Sequence, residues 1–509
     1  MNAKIRRQLE RRKRRIQRRL GKAKLENLDK PVFTASAIHY EIGERDGAVV
    51  YGGIGAFHLL ARRIGLIDAI DDRLHLLKFH YPYHESDHVL NFAYNALCDG
   101  DCLEDIELRR NDAVYLDALG AERIPDPTTA GDFCRRFAAR DVHTLLDIFN
   151  DVRKTLWARQ PAEFFTMARI DMDGVLVETT GECKAGMDIA YNGVWGYHPL
   201  IVSLANTAEV LSIINRSGNR PSHEGAAAEV DRALRVCFDG GFKLVRLRGD
   251  TDFSQTQHLD RWSDDPRVSF VFGLDATANR HFLADQLPQM SWKALARRPK
   301  RQVKTKPRKK PENVKEQIVR DREFQNIVLV SEDVAEMEYR PVACRKTYRL
   351  VVVRKNLSVE KGEAVLFPDY RYFYYLTNDR QSVAADVVRE ANDRCNQENL
   401  NAQLKGGVRA LHAPVDALES NWAYMVMTAL AWNLKAWWAL WPTETPGRWN
   451  ERHRAEKTRV LGMEFKTFKS AFLRLPCQIV QSGRRLVYRI LGWNPWQPLF
   501  FRTFAQLRC

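Results

Sequence analysis

Lys243-Leu-Val-Arg-Leu-Arg248-Gly249-Asp250 is a strand-like run that closes on a glycine and an acid. A second such run, at 168–180, contains Ile170-Asp171-Met172-Asp173-Gly174. Side chains alternate along a strand, so Asp171 and Asp173 point to one face and either can serve as an acidic ligand. Asp250 falls just past its strand, where an open α/β sheet presents its ligands. Strand-like runs at 187–191, 198–205 and 209–217 follow the first, broken by Gly and Asn. A helix at 224–238 then precedes the 243–248 strand, and a helix at 254–263 precedes a strand at 268–273.

Three strands, helix, strand, helix, strand is the element order of a ribonuclease-H-like α/β fold, although other α/β folds share pieces of it. The stretch Arg394-Cys-Asn-Gln-Glu398-Asn-Leu-Asn-Ala-Gln-Leu-Lys405 lies downstream. On an α-helix at about 100° per residue, Arg394 and Lys405 point within roughly 40° of Glu398. The three would form one stripe facing whatever the aspartates face. Three acids far apart in sequence, the last flanked by cations, suit divalent-metal phosphoryl chemistry. Magnesium prefers one or two carboxylates together with water and phosphate oxygens. Two ions about 4 Å apart activate the attacking oxygen and stabilise the leaving one. The expected ligands are Asp173, Asp250 and Glu398, with Asp171 as the alternative first acid. Arg394 and Lys405 would hold phosphates of the substrate strand.

At 509 residues the chain is long for one domain, and its 45% hydrophobic content supports a sizeable core. A net charge of +15 favours a polyanionic partner, of which nucleic acid is the commonest. Twelve Lys and Arg fall within the first 24 residues, Arg11, Arg12, Lys13, Arg14 and Arg15 among them. Such an arm is expected to be loosely helical or disordered when free and ordered on a phosphate backbone. A second cationic stretch, 293–310, carries ten Lys and Arg and no acid, including Arg297, Arg298, Lys300 and Arg301. Nine scattered cysteines do not make a disulfide framework, so a reducing cytoplasm fits. The apolar segment 424–442 is interrupted by Asn433 and Lys435 and reads as a buried helix rather than a membrane span.

Residues from about 50 to 158 read as helices, with Ser86 and Asp141 as N-caps. A compact helical unit beside a basic arm suits binding of DNA ends. The expected layout is a basic arm at 1–30 and a helical DNA-end-binding domain at 31–160. A catalytic domain at 161–440 follows, with a β-rich insertion at about 276–378, and a basic region at 441–509 closes the chain.

The joint pattern resembles a DDE transposase of a bacterial insertion sequence, in the group with a Y-R-E-K signature (the insertion sequence 1380 branch). That signature runs Tyr, two residues, Arg, three residues, Glu, six residues, Lys. Arg394, Glu398 and Lys405 keep the spacing, and the Tyr position holds Ala391. Tyr197-His-Pro-Leu200, Arg216-Ser-Gly-Asn219 and Leu247-Arg-Gly-Asp250-Thr-Asp-Phe253 also resemble the family. Alignment with its first-strand motif favours Asp173 over Asp171. The resemblance implies metal-dependent cleavage and strand transfer at terminal inverted repeats, with Mg²⁺ or, as a substitute, Mn²⁺. It also implies a homodimer or higher homo-oligomer on double-stranded DNA, in the bacterial cytoplasm at the nucleoid. The rival readings are a non-catalytic DNA-binding protein derived from a transposase, and a host nuclease of the same fold.

Overall fold

The computed structural model describes residues 2–21, 47–181, 183–295, 327–328, 331–356, 359–360, 363–364, 370–444, 447–482 and 485–508. A nine-stranded mixed sheet lies at its centre. In chain order the strands are β1 (Met167–Gly174), β2 (Leu200–Leu204), β3 (Glu209–Ile214), β4 (Leu244–Gly249), β5 (Val268–Leu274), β6 (Lys293–Ala294), β7 (Ser331–Tyr339), β8 (Tyr348–Asn356) and β9 (Tyr370–Thr377). Across the sheet they run β6-β7-β8-β9-β5-β4-β1-β2-β3. β1, β4 and β5 are mutually parallel, and every other neighbouring pair is antiparallel.

Parallel strands need a crossover, and the sequence supplies it. Helices Ala226–Asp239 and Thr256–Asp264 stand before and after β4, which gives the element order expected from the sequence. Both cover one face of the sheet. Val230, Ala233, Leu259 and Trp262 pack there against Ala168, Ile170, Met172, Val245 and Leu247. The alternation of β2 shows how a strand serves two layers: Leu200, Val202 and Leu204 join that core, whereas Ile201 joins the core on the opposite face. On the opposite face, helix Ala384–Asp393 sets Val387 and Val388 against Val271, Val351 and Val353.

The region expected as an insertion is β-rich: Ile327–Val328, Val359–Glu360 and Glu363–Ala364 form a small sheet of their own, but its four other strands do not stand apart. β9 pairs with β5 from Tyr374↔Leu274 to Thr377↔Val271, so β6 to β9 extend the central sheet. A hydrogen-bonded edge left open at β5 would be an aggregation template, and β9 closes it.

The segment 50–158 is helical, with helices Ile54–Arg63, Leu66–Arg73, Glu85–Leu97, Ile106–Arg110, Ala113–Leu119, Pro127–Cys134 and Ala139–Trp157. Ser86 and Asp141 fall inside their first turns rather than at the caps. Asp87 accepts from the His84 N–H and Asp141 from the Ala138 N–H, each at 2.9 Å. These helices do not have a core of their own. Phe57, Val89, Leu145 and Phe149 belong to one continuous apolar cluster with Met425, Trp438, Phe468 and Phe472. Ala48–Val49 also pairs with the Cys477–Ser482 strand, joining the two ends of the chain. Helix Leu418–Leu440 is buried along nearly its whole length, which accounts for its largely apolar sequence. Among the described residues, no helix is long and apolar enough to cross a membrane.

The basic arm is helical, and it is docked rather than loose. Ala3–Gly21 is a helix lying on the C-terminal hairpin. Leu9 is buried beneath it, and Arg12 Nη1 donates to the carbonyls of Ile490 and Gly492, both at 2.8 Å. Arg12 is therefore committed within the protein, whereas Arg11, Lys13, Arg14 and Arg15 remain exposed.

Candidate active site

The register of the parallel pair β1 and β4 sets Asp171 opposite Arg248. Two residues further along each strand stand Asp173 and Asp250, so both reach the carboxyl edge of the sheet side by side. Asp250 lies one residue past β4 and accepts from the Asp252 N–H at 3.1 Å, which fixes the start of a short turn.

Asp171 and Asp173 share a strand face, but only Asp173 faces the opening. Asp171 is buried and accepts from Arg248 Nε at 2.6 Å and Nη2 at 2.8 Å, a bidentate pair. Arg248 also contacts Glu390 at 3.3 Å, and Glu390 in turn takes Arg169 at 2.7 Å. Arg246 reaches Asp379 at 2.6 Å and Glu390 at 3.7 Å. Five side chains from β1, β4 and the Ala384–Asp393 helix, with Asp379 beyond β9, thus form a network that presses that helix onto the sheet.

The stretch from Arg394 to Lys405 is not one uninterrupted α-helix. Helix Ala384–Asp393 ends at Arg394, a new helix spans Cys395–Ala402, and Gln403–Gly407 is a π-helical turn. The stripe survives these breaks. Arg394 Nη1 lies 3.9 Å from Asp173 and Nη2 3.5 Å from Asp250, and Glu398 follows on the next turn. Lys405, in the π turn, donates to the Leu176 carbonyl at 3.2 Å. A buried polar chain braces the arrangement. The Ser203 hydroxyl donates to Gln397, Gln397 Nε2 donates to Asn401 Oδ1 at 3.1 Å, and Asn401 Nδ2 donates to Asp173 Oδ2 at 2.8 Å.

Asp173, Asp250, Glu398, Asn401 and Lys405 line one open cavity of about 930 Å³. Its far wall is the loop 218–223, built around buried Arg216. That guanidinium donates to the carbonyls of His198 at 2.9 Å, Pro221 at 3.1 Å, Ser222 at 2.9 Å and Glu224 at 2.6 Å. His198 Nδ1 is held by the Arg220 carbonyl at 2.9 Å. Its other nitrogen lies so near Gly174 that a Cβ there would come within 2.6 Å, so the residue after Asp173 has to be glycine.

Burial pushes the Asp173 carboxyl up to about 6, Arg394 opposes the shift, and the charges of Asp250 and Glu398 add to it. Burial likewise raises Asp250, again opposed by Arg394, with Asp252 and Glu398 pushing it further. Buried carboxylates gathered beside other acids are the setting a cation relieves. Among the described residues, no three Asp, Glu, His or Cys side chains close around a single ion position. The donor set nevertheless fits a hard divalent cation in kind. Its oxygens are carboxylates, and the cationic group between Asp173 and Asp250 is Arg394, whose buried Nη1 has no hydrogen-bond partner.

The structure thus brings Asp173, Asp250, Glu398, Arg394 and Lys405 together and sets Asp171 apart. Arg297, Arg298, Lys300 and Arg301 lie outside the described residues. Asn401, Gln397 and the Arg248–Glu390 network were not singled out in the sequence. A polar residue three positions after Glu398, on the same helix face, was the available signal for Asn401.

The model of the family described as transposase DDE domain, group 1, matches residues 46–509 of the chain. No curated protein matches it. Among solved structures, one of a piggyBac transposase synaptic complex with hairpin DNA is similar at 11% identity and a TM-score of 0.37. The similarity covers 83% of this chain and 84% of that one.

Proposed function

The chain belongs to the transposase DDE domain group 1 family, and from that premise we propose that it binds the terminal inverted repeats of an insertion sequence and cuts and transfers its strands. Asp173, Asp250 and Glu398 are the proposed metal ligands, Mg²⁺ the proposed ion, and Mn²⁺ its substitute. One observation carries the reading: three acids from distant parts of the chain line a single cavity with Lys405, and Arg394 bridges the two aspartates. The strand order β3-β2-β1-β4-β5, with β1, β4 and β5 parallel, supports a ribonuclease-H-like catalytic core. The spacing of Arg394, Glu398 and Lys405 supports the Y-R-E-K branch.

Divalent ions bound there would activate the attacking oxygen and stabilise the leaving one. Arg394 and Lys405 hold phosphate oxygens of the substrate strand, which neutralises charge while the bond changes hands. Water attacks the phosphodiester at the element's terminus, and the freed 3′-hydroxyl then attacks target DNA by the same in-line displacement. Asn401 keeps one oxygen of Asp173 occupied and so fixes which lone pairs face the cavity. The exposed cations Arg11, Lys13, Arg14 and Arg15 bind the DNA backbone, and the helices between residues 54 and 157 lie against the ends. Homo-oligomers on DNA and a bacterial cytoplasmic location belong to the same reading.

The test is cleavage of DNA carrying the element's ends with Mg²⁺ or Mn²⁺. Asp250→Asn is expected to lose cleavage by about three orders of magnitude, equivalent to several kcal/mol of transition-state stabilisation, and to keep end binding. Retained cleavage would sink the assignment.

A further inference from the structure

A short hairpin overhangs the cavity that holds the three acids. Asp188–Ile189 and Trp195–Tyr197 pair antiparallel, with Ile189 opposite Trp195, so these two side chains share one face. The turn is tight: the Ala190 N–H donates to the Val194 carbonyl at 2.8 Å and the Gly193 N–H to the Ala190 carbonyl at 2.9 Å. Gly193 takes φ 84°, which suits a residue without a Cβ. Asn219 Nδ2 donates to Asp188 at 2.6 Å and the Gly218 N–H to the Gly196 carbonyl at 3.0 Å, so the hairpin is pinned to the cavity's far wall. On this rigid base Tyr191 is 90% exposed, Trp195 51% and Ile189 47%, and Tyr191 itself lines the cavity with Asp173, Asp250 and Glu398.

Exposed apolar side chains scattered singly mean little, but Ile189, Tyr191 and Trp195 are grouped on one pinned hairpin, and such grouping marks an interaction site. Its surroundings name the occupant. Arg220 and Lys405 line the same cavity, a pairing of cations and π-face that suits a single nucleic-acid strand. A second copy of the chain fits less well. Three side chains fall far below the roughly 800 Å² per partner of a stable interface. Two chains of net charge +15 also repel. Resting on the phosphoryl-transfer reading of this cavity, we propose that Tyr191 is a stacking platform for an unpaired nucleobase of the strand entering the site. Backbone contacts there are sequence-blind, and stacking on Tyr191 requires a base that has left its duplex. The hairpin would accordingly favour frayed or single-stranded substrate over intact duplex.

The experiment is fluorescence anisotropy with the full chain and a labelled 12-nucleotide single strand, with bases throughout or with abasic sites throughout. No metal is added, so cleavage plays no part in the readout. Tyr191→Ala is expected to weaken binding of the base-containing strand by about five- to a hundredfold and to leave the abasic strand unchanged. Tyr191→Phe keeps the ring and is expected to match the unsubstituted protein. Equal losses on both strands, no loss on either, or a Phe variant as weak as the Ala variant would each overturn the proposal. So would a change confined to oligomeric state by size-exclusion chromatography. Because cleavage is not read, failure of the Asp250→Asn prediction and failure of this one are separable.

Discussion

Asp171 and Asp173 stand two residues apart on one face of one strand, yet they live in different regions. Asp171 belongs to a dry interior, where Arg248 grips both its oxygens and Glu390, Arg169, Arg246 and Asp379 complete the charge balance. Asp173 belongs to the rim, where its nearest cation stands at 3.9 Å and two other acids line the same cavity. The inner region has spent its charges on one another. The rim gathers three acids with no such bidentate partner, an arrangement that a further cation would relieve. The difference marks the boundary between scaffold and proposed chemistry, and it can be moved by substitution.

Exchanging one acid at a time breaks the comparison most sharply. Asp173→Asn is expected to lower strand cleavage by about three orders of magnitude with little change in melting temperature. Asp171→Asn should do the reverse, leaving Arg248 buried without its bidentate partner. The cost is about 3 kcal/mol, the lower end for a broken buried pair, because Glu390 still lies 3.3 Å away. Urea unfolding and a cleavage assay on the same two proteins decide the matter. Similar losses of both properties in both variants would erase the boundary.

A milder substitution sharpens the rim itself. Asn401→Ala removes the donor that holds Asp173 Oδ2 at 2.8 Å without touching a carboxylate. A lost supporting hydrogen bond of this kind costs about 10- to 100-fold in metal affinity. Cleavage titrated with Mg²⁺ should therefore need more metal and approach its former maximum, whereas an unchanged metal requirement would exclude a supporting role.

A final substitution tests the rule with a charge of opposite sign. Lys435 is buried among apolar groups, donates to the Leu461 carbonyl at 2.7 Å and lies 3.9 Å from the Trp432 ring. Burial lowers it from 10.5 to about 7, so it resolves its isolation by giving up its proton. Between about pH 7 and the unfolded value near 10.4, the unfolded chain holds more protons, and stability rises with pH. Lys435→Met should flatten that rise in urea midpoints measured from pH 7 to 10, and an identical slope in the variant would contradict the account.

Much of the centre of this molecule was legible in the sequence because its signals are local. β1 and β4 are short apolar runs ending in acids, and the Glu398 helix carries its cations at helical spacing. What stayed hidden depends on distant partners. Nothing near residues 268–274 announces that they pair with 370–377, so the presumed insertion could not be read as an extension of one sheet. Asp171 and Asp173 obey the same alternation rule, and it is the Arg248 side chain of another strand that draws Asp171 into the interior. Arg12 is one cation among twelve in its segment, and its commitment to the Ile490 and Gly492 carbonyls spans 478 and 480 residues. The breaks at Arg394 and Gln403 leave the stripe of Arg394, Glu398 and Lys405 intact, which is why a single ideal helix predicted the cavity side correctly.

The apolar cluster shared by helices near both ends of the chain sets a timetable for synthesis. Phe57 and Val89 are made early, but Met425, Trp438 and Phe472, which cover them, leave the ribosome more than 300 residues later. At about 5–20 residues per second, those early helices wait on the order of tens of seconds with their oily faces uncovered. Chaperones and the growing chain must shelter them in that interval. Any product truncated before the Leu418–Leu440 helix lacks the cover its first half needs, so the reaction would be reserved to chains finished to at least that point.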